Sequence, residues 1–510
     1  MTREPRRSGI LLHPTSLPTR FAIGDLGPAA QRWIRYLAGS QQSLWQILPL
    51  GPTGYGDSPY QSLSAFAGNP LLISPEHLER DGLLGAGDLD HLPYSSPGPV
   101  DYARVIAYQG PLLGQAFENF KSGKGRGLKP AFESFRHSQG EWLEDFSLFM
   151  ALKQENGGLA WGDWPPELRL RQARALQVAL QRNAYRVEAN CFLQFLFFRQ
   201  WEELKSLARE NGIRIIGDVP IFLAYDSADV WAHPELFKLD EAGRPLVVAG
   251  VPPDYFSRTG QLWGNPLYRW DQMKDNGYRW WIQRLHAALR TCDLVRLDHF
   301  RGFEAAWEVP SGETTAERGE WVKGPGAELF QALRSSLGSL PLIAEDLGLI
   351  TPAVESLRKQ FGLPGMRVLQ FAFQGGPANS YLPHNYERDT VVYTGTHDND
   401  TTRGWYASAP EPERDFVRRY LGTPGTDIAW DLIRLGWESM ARMAVVPLPD
   451  VLDLGSEARM NFPGRLSGNW RWRVGEELLT PQRQEKLAEL TQLYGRSNTV
   501  PESGQASAAN

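Results

Sequence analysis

The sequence predicts an α/β protein built on a (β/α)8 TIM barrel with helical and loop insertions. Eight short apolar runs end in Gly, Pro or polar residues, and most are nearly continuous in apolar residues, which is typical of strands buried on both faces. Helical periodicity lies between many of these runs, as parallel strands with crossover helices require. The chain has 510 residues, more than a plain barrel needs, so we expect insertions.

The eight predicted strands follow one another along the chain. In order they are GILLHPTS (9–16), SLWQILPLG (43–51), IRIIGDVPIF (213–222), LVRLDHF (294–300), PLIAEDLG (341–348), GMRVLQFAF (365–373), TVVYTGTHDND (390–400) and MAVVPLPDVLDLG (443–455). A helix precedes the third strand and ends at Gly212, a residue suited to the position just after a helix. Another follows the fifth strand, with Thr351 as its N-cap and Pro352 at its first position.

The chain divides into one barrel with two insertions and a tail. We predict a single barrel over residues 1–496, interrupted by a mostly helical insertion at about 72–190. A second insertion at about 225–276 is dense in Gly, Pro and aromatic residues and is predicted to be a loop-rich lid. Residues 497–510 are small and polar and are predicted to be disordered.

Composition excludes several classes of function. The net charge is −6 and the pI about 5.9, so the chain has no electrostatic footprint for nucleic acid or an anionic membrane. It has no apolar run of about 18 residues and no signal-peptide pattern. Cys191 and Cys292 are expected to be buried free thiols in a reducing cytoplasm. The 18 tryptophans suit a core, but aromatic rings also stack on the apolar faces of sugars.

Charged side chains follow four of the predicted strands, at the ends where a barrel of this kind carries its active site. The third strand ends in Asp218, and the fourth ends in Arg296, Asp298 and His299. The fifth ends in Glu345 and Asp346, and the seventh ends in His397, Asp398 and Asp400. Any one of these acids has an alternative role as a turn former or a helix cap, and a lone histidine is usually structural. Four strands that end in this way favour a reactive site.

The stretch LVRLDHFRG, residues 294–302, shows how such charges can be accommodated. Because side chains alternate along a strand, Leu294, Arg296 and Asp298 share one face. If Leu294 faces the barrel interior, the other two stand together at its mouth, where the arginine holds the carboxylate ionised and aimed. Carboxyl groups about 5 Å apart suit retaining glycoside chemistry. A Mg²⁺ site of three carboxylates is the alternative, which the adjacent arginine disfavours.

Eight motifs in order carry a family resemblance over nearly the whole chain. They are ILLHPTSLP, GYGDSPYQSLSAFAGNP, GDVPIF, GVPPDYFSRTGQLWGNPLY, RLDHFRG, AEDLG, THDND and RMNFPG. In these motifs the sequence resembles the amylomaltases, the 4-α-glucanotransferases of glycoside hydrolase family 77, also called disproportionating enzymes. The resemblance implies a barrel with no separate C-terminal β-domain. It also implies transfer of α-1,4-glucan segments from a maltooligosaccharide or amylose to the 4-OH of an acceptor, or within one chain to give cyclic glucans.

The resemblance also implies roles for three carboxyl groups. Asp298 would be the nucleophile, Glu345 the general acid/base and Asp398 the stabiliser of the transition state. The residues themselves lead to the same division between the first two. Glu345 needs a raised pKa to donate a proton, whereas Asp298 beside Arg296 is expected to stay ionised.

Further side chains are expected to contact or support the substrate. Around the carboxyl groups these are Tyr60, Asp218, Arg296, His299, His397 and Asn461. The resemblance implies that Arg296 and His397 support the charged intermediate, that Asp218 lies in the supporting shell and that Tyr60 lines the donor subsite.

A cover over the site is predicted because a transferase must keep water away from its glycosyl-enzyme. The motif GVPPDYFSRTGQLWGNPLY supplies Tyr255, Phe256 and Trp263 for this purpose, and Asp254 as a further substrate-binding residue. The alternative is a long loop that packs only on its own aromatic rings. Tyr55 is predicted to be a second platform on which glucan stacks, with a simple turn residue as the alternative.

We predict an enzyme without cofactor or metal that acts on α-1,4-glucans, binds neither nucleic acid nor membrane, and is a monomer in the cytoplasm. Two alternatives are a hydrolytic α-amylase-like enzyme and a non-catalytic barrel that binds glucan. The full set of nucleophile, acid and stabiliser disfavours the binding module, because binding alone does not require it.

Overall fold

A computed structural model describes residues 5–90, 92, 98–125, 127–253, 257–465 and 467–497. Its strands are β1 Arg7–Leu11, β2 Leu44–Gln46, β3 Arg214–Pro220, β4 Val247–Val251, β5 Gln261–Pro266, β6 Leu294–Asp298, β7 Ala305–Pro310, β8 Glu320–Lys323, β9 Leu342–Ala344, β10 Gly365–Val368, β11 Thr390–Tyr393 and β12 Met443–Pro447. Its α-helices are α1 Pro28–Gly39, α2 Pro75–Arg80, α3 Tyr102–Lys121, α4 Leu128–Glu155, α5 Pro166–Arg169, α6 Ala173–Arg182, α7 Ala184–Glu210, α8 Ala228–Ala232, α9 Trp270–Asp275, α10 Arg279–Thr291, α11 Gly326–Leu337, α12 Pro352–Gln360, α13 Thr402–Ser408, α14 Glu411–Leu421, α15 Ile428–Glu438, α16 Leu448–Val451 and α17 Pro481–Leu493.

Eight of these strands close into a parallel barrel. Their order around it is β1-β12-β11-β10-β9-β6-β3-β2, and each overlaps one of the eight predicted runs, so the predicted fold class is confirmed. Strand β6 lies between β3 and β9, with Asp218 in register with Arg296 and Leu297 in register with Ala344. The strand ends that carry the charged residues of the third, fourth and fifth runs are therefore neighbours.

The barrel interior is filled by alternate side chains of its strands. Ile216, Leu294 and Ile343 belong to one buried apolar cluster inside the barrel. Leu294 thus faces the interior, as the argument from strand alternation requires. The next residue on the same face of each strand is two positions further on, at the open end of the barrel.

Helices α2 to α7 cover one side of the barrel and bury an aromatic cluster. The rings of Phe120 and Phe192 stack there with their centroids 4.4 Å apart. Helix α7 runs without a break from this helical segment to the start of β3, because its 27 residues contain neither Gly nor Pro. It therefore passes through residue 190, where the sequence led us to expect the insertion to end. Gly212 follows it with φ = 72°, as predicted for the residue after this helix.

The segment predicted to be loop at 225–276 is more regular than its composition indicates. It contains α8, α9, β4 and β5, and the two strands join β7 and β8 in an antiparallel sheet of order β5-β4-β7-β8. Strand β4 is short, and the register of β4 and β5 shifts between Val248 and Gly250. These features break the alternation from which a strand is recognised.

The remaining helices complete the layer around the barrel. Thr351 caps α12 with its side chain, which accepts from the N–H of Val354, as predicted. Helix α17 returns to α1, where the Gln484 side-chain amide donates to the carbonyl of Tyr36 at 3.0 Å. After β12 the described residues form no further sheet.

Three further expectations can be compared with the structure. Cys191 and Cys292 are free and buried. Among the residues that the structure describes, no helix has the length and apolar character needed to span a membrane. Of the tail predicted at 497–510, residues 498–510 lie outside the described part of the chain, as do Asp254, Tyr255 and Phe256 of the predicted lid.

Candidate active site

Four charged side chains lie at the open end of the barrel, just beyond its buried apolar interior. Asp218, Arg296 and Glu345 each follow an interior apolar residue by two positions on β3, on β6 and just beyond β9. Asp298 is two positions beyond Arg296, at the end of β6. The same alternation that fills the barrel with apolar side chains therefore delivers these groups to its mouth.

Arg296 joins two carboxylates. Its guanidinium lies 2.6 Å from Oδ2 of Asp218 and 2.8 Å from Oδ1 of Asp298, and the residue is only 4% exposed. Burial acts to lower the pKa of Arg296, but the two carboxylates outweigh it, so the pKa is raised well above its usual range. The buried arginine is thus charged and has a carboxylate partner on each side. Such partners are required because a buried charge without them would destabilise the fold.

Asp218 has a second partner in Tyr60. The tyrosine hydroxyl donates to Oδ2 of Asp218 at 2.8 Å, the oxygen that also contacts Arg296. Burial raises the pKa of Asp218 even though Arg296 opposes this, and the nearby charge of Asp298 adds to the rise. Asp218 therefore anchors Tyr60 and Arg296 from a fully enclosed position, with no exposed side-chain surface.

Glu345 is held by two backbone donors. The N–H of His299 donates to Oε2 at 2.7 Å, and the N–H of Leu347 donates to Oε1 at 2.9 Å. Burial, followed by the charge of Asp298, raises the pKa of Glu345 to about 7, although Arg296 and the two N–H groups act in the opposite direction. A carboxyl group with this pKa holds its proton through much of the neutral range, which is the property of a general acid.

His299 adopts a left-handed backbone conformation with φ = 54°. This conformation is uncommon for a residue other than glycine and stores strain where the surrounding structure enforces it. It turns the chain sharply after Asp298 and aims the His299 N–H at Glu345. Burial lowers the pKa of the His299 imidazole to about 4, so the ring is neutral. The ring of Trp263 meets it edge-on, with 4.7 Å between centroids.

Asp398 lies beyond β11 and is held by two side chains. Nε2 of His397 lies 3.4 Å from Oδ2, and the Asn461 amide donates to Oδ1 at 2.6 Å. Loss of hydration would raise the pKa of Asp398, but His397 and Asn461 outweigh it and hold the pKa far below its usual range. Burial likewise acts to lower the pKa of His397, and the charge of Asp398 outweighs it, so that pKa is raised.

Aromatic rings form one wall of the site. Tyr60 stacks on His397 with centroids 5.1 Å apart and an interplanar angle of 16°. Trp470 lies 5.8 Å from Tyr60 and 5.9 Å from His397, in both cases tilted. Sequence reasoning did not find Trp470, because it lies in an irregular segment with φ = 63° and no strand pattern points to it.

Two of the strand-end acids have structural contacts instead. Oδ1 of Asp346 accepts from the N–H of Met366 at 2.7 Å, and its other oxygen lies 3.3 Å from Arg358. Asp400 accepts from the N–H of Thr401 at 2.8 Å and from the hydroxyl of Ser456 at 2.7 Å. These contacts are structural: Asp346 ties the end of β9 to β10 and to Arg358, and Asp400 holds the turn before α13.

The remaining residues predicted from sequence lie near the rim or outside the described part. Trp263 is on β5 and reaches the site through His299. Tyr55 belongs to a short turn and is 71% exposed, so its ring is free to meet a ligand at the surface. Asp254, Tyr255 and Phe256 lie outside the described residues.

The arrangement has the chemical parts of a retaining glycosidase-type site. Asp298 and Glu345 directly follow Leu297 and Ala344, which are paired on neighbouring strands. Neighbouring strands lie about 4.8 Å apart, and a retaining mechanism needs its two carboxyl groups about 5 Å apart. Asp298 contacts an arginine, whereas Glu345 is buried and has a raised pKa. These different environments suit two distinct roles.

Comparisons with known proteins agree with this chemistry. The family model described as 4-alpha-glucanotransferase, glycoside hydrolase family 77, matches residues 12–479. A 4-alpha-glucanotransferase of Thermus thermophilus is 54% identical over 500 residues, which cover 96% of this chain and 99% of that protein. The chloroplastic/amyloplastic 4-alpha-glucanotransferase of Solanum tuberosum is 44% identical, with 97% and 88% covered.

A solved structure is also closely similar. The amylomaltase from Streptococcus agalactiae in complex with acarbose superimposes with a TM-score of 0.94 at 38% identity. The match covers 96% of this chain and all of that one.

Proposed function

This chain belongs to the 4-alpha-glucanotransferase family and is an enzyme that transfers α-1,4-glucan segments, and on that premise we propose that it works by a retaining route through a covalent glycosyl-enzyme. The observation that carries the proposal is the pair Asp298 and Glu345. They follow paired residues on neighbouring strands, and burial raises the pKa of Glu345 to about 7.

In the first half of the reaction Asp298 attacks the anomeric carbon of the donor. The bond from that carbon to the glycosidic oxygen breaks, and Glu345 gives its proton to the departing oxygen. The carbon is then bonded to an Asp298 oxygen, and the leaving glucan carries a new 4-OH. Glu345 is left as a carboxylate, which the N–H groups of His299 and Leu347 stabilise.

In the second half the 4-OH of an acceptor attacks the same carbon. Glu345 takes the hydroxyl proton while the new glycosidic bond forms and the bond to Asp298 breaks. Both carboxyl groups return to their starting states. Two inversions at one carbon preserve the α configuration.

Asp398 is proposed to stabilise the positive charge that develops on the sugar in each transition state. His397 and Asn461 hold it ionised and oriented for this purpose. Arg296, Asp218 and Tyr60 are proposed to support the site and to shape the donor pocket, where Tyr60 stacks on His397.

A cover from the second insertion is proposed to favour transfer over hydrolysis. Trp263 lies against His299 beside the acid, and Asp254, Tyr255 and Phe256 are proposed to extend this cover. Trp263→Ala should then raise the ratio of hydrolysis to transfer, measured as new reducing ends against glucose released from maltotriose. The exposed Leu246→Ala serves as a control. Equal loss of both activities in the Trp263 variant would make this residue a general support of the site.

We further propose maltooligosaccharides and amylose as substrates, with cyclic glucans as intramolecular products and Tyr55 as an outer glucan platform. Its exposure of 71% supports the last point. A monomeric state and a cytoplasmic location are proposed as well, and the second is supported by two buried cysteines that are both free thiols.

The mechanism is tested with a donor that needs no proton to depart. Glu345→Gln should react with α-maltosyl fluoride to the glycosyl-enzyme and then stall, because the second half lacks its base. Mass spectrometry of peptides should show the added sugar on Asp298. Sugar on another carboxyl group would overturn the assignment. With the native enzyme, maltotriose should yield a ladder of longer products plus glucose.

A further inference from the structure

The acceptor glucan must lie on the Glu345 side of the site. This follows from the proposed function, because the acid contacts the oxygen that joins donor and acceptor. Two turns hold Glu345 there, one through the N–H of His299 and the other through the N–H of Leu347. Surface features attached to these turns are therefore the ones that an acceptor meets as it leaves the catalytic centre.

Arg301 ties the two turns together. It lies two residues beyond His299, is only 7% exposed, and its guanidinium donates to the carbonyl of Leu349, which lies two residues beyond Leu347. The mechanism gives Arg301 no role. Its side chain links the two chain segments that follow the donors to Glu345.

The indole of Trp321 rests on this guanidinium. The central carbon of the Arg301 guanidinium lies 3.8 Å from the ring centroid, so one face of the indole is covered by a cation. Trp321 is nevertheless 39% exposed, so a substantial part of the residue is open to solvent. A large apolar ring that is held by a cation and is partly open to solvent is suited to stacking on a sugar ring.

The ring is also held from its own sheet. Trp307 meets it at 63° with centroids 5.4 Å apart, and the Trp307 indole N–H donates to the carbonyl of Ala316 at 2.9 Å. Strand β8 is followed by Gly324, where a Cβ atom would lie 2.4 Å from the carbonyl of Phe303. The end of β8 is thus pressed against the turn that contains Arg301, and Trp321 is preorganised, so it loses little entropy when a ligand binds.

We propose that Trp321 is an acceptor subsite, a platform for a glucose unit beyond the one that receives the new bond. The indole contacts Arg301, which lies two residues beyond the His299 N–H that holds Glu345. The platform is therefore assigned to a glucose unit beyond the first acceptor sugar. It distinguishes acceptors of several units from glucose itself.

The test compares acceptors of different length. Glycosyl-enzyme is formed from α-maltosyl fluoride, and elongation of labelled glucose or labelled maltotriose is followed at increasing acceptor concentration. Trp321→Ala should raise the half-saturating concentration of maltotriose roughly 3- to 10-fold and leave that of glucose and the rate of fluoride release unchanged. Trp321→Phe keeps a ring and should recover most of the loss. Leu246→Ala removes an exposed apolar side chain next to β4, a strand of the same antiparallel sheet as β8, and should behave like the native enzyme.

The outcomes separate the platform from a structural role. An equal loss with glucose and maltotriose would make Trp321 a support for the turns around Glu345, and unchanged use of maltotriose would remove it from the acceptor path. Either result overturns the proposal. Native enzyme that elongates neither acceptor would overturn the transfer mechanism, and the platform with it.

Discussion

In the proposed mechanism Glu345 must carry a proton when it meets the donor, so its raised pKa makes the first step depend on pH. The pKa of about 7 replaces an ordinary value of 4.5. At pH 6 about nine-tenths of the free enzyme then holds the proton, against about 3% with the ordinary value. At pH 8 the protonated share falls to about one-tenth. We therefore expect kcat/KM for maltotriose to fall about tenfold between pH 6 and pH 8.

A change of leaving group separates the effect of the Glu345 proton from other effects of pH. Fluoride departs from α-maltosyl fluoride without being protonated, so the first step with this donor should stay nearly constant over the same range. Initial glucose release at low maltotriose concentration and fluoride release from the second donor give the two profiles. Glu345→Gln should lose most activity toward maltotriose and keep a flat profile with the fluoride.

His397 provides the alternative source of an alkaline limb, because its pKa is raised as well and its charge is also lost as pH rises. The two assignments differ in which donors they affect. In the proposed mechanism His397 acts through Asp398, which stabilises the transition state for both donors, whereas Glu345 protonates only the sugar leaving group. The same alkaline fall with both donors would therefore refute the reasoning about Glu345.

Three further outcomes are expected. Asp298→Ala should abolish product formation from maltotriose while the melting temperature stays near the native value, and appreciable turnover would remove Asp298 as the nucleophile. Asn461→Ala leaves the Asp398 carboxylate without its 2.6 Å hydrogen bond, so kcat should fall about 10- to 100-fold with little change in KM; a change confined to KM would contradict this. Burial raises the pKa of Asp25 to about 7, so the native state keeps a proton that the unfolded chain releases, and stability should fall as pH rises from about 4 to about 7. Asp25→Asn should remove that fall, by about 1–4 kcal/mol at pH 8, and parallel melting curves of the two proteins across this range would contradict the linkage.

The barrel and the strand-end charges could be predicted from sequence because both follow from one periodicity. An apolar side chain inside the barrel, as at Leu294, fixes the face on which Arg296 and Asp298 stand two and four positions later. Physical reasoning from the residues also predicted that Glu345 would be the more easily protonated of the two carboxyl groups. The direction of its pKa shift agrees with this expectation.

Irregular segments explain what could not be predicted. Trp470 reaches Tyr60 from a stretch without strand or helix periodicity, and no local pattern states which distant residue it meets. The hairpin of β7 and β8 was not predicted either, because β8 has only four residues, three of them exposed, and forms no apolar run. The platform formed by Trp321 depends on a cation from another element, so it exists only in the folded chain.

Asn461 and Trp470 contribute to the site from near the end of the chain, which matters during synthesis of the protein. During synthesis Asp298 and Glu345, the proposed nucleophile and acid, leave the ribosome long before Asn461, which holds Asp398, and Trp470, which completes the aromatic wall. A chain that ends before these two residues lacks the groups that orient the third carboxylate. The proposed activity therefore depends on nearly the whole length of the chain.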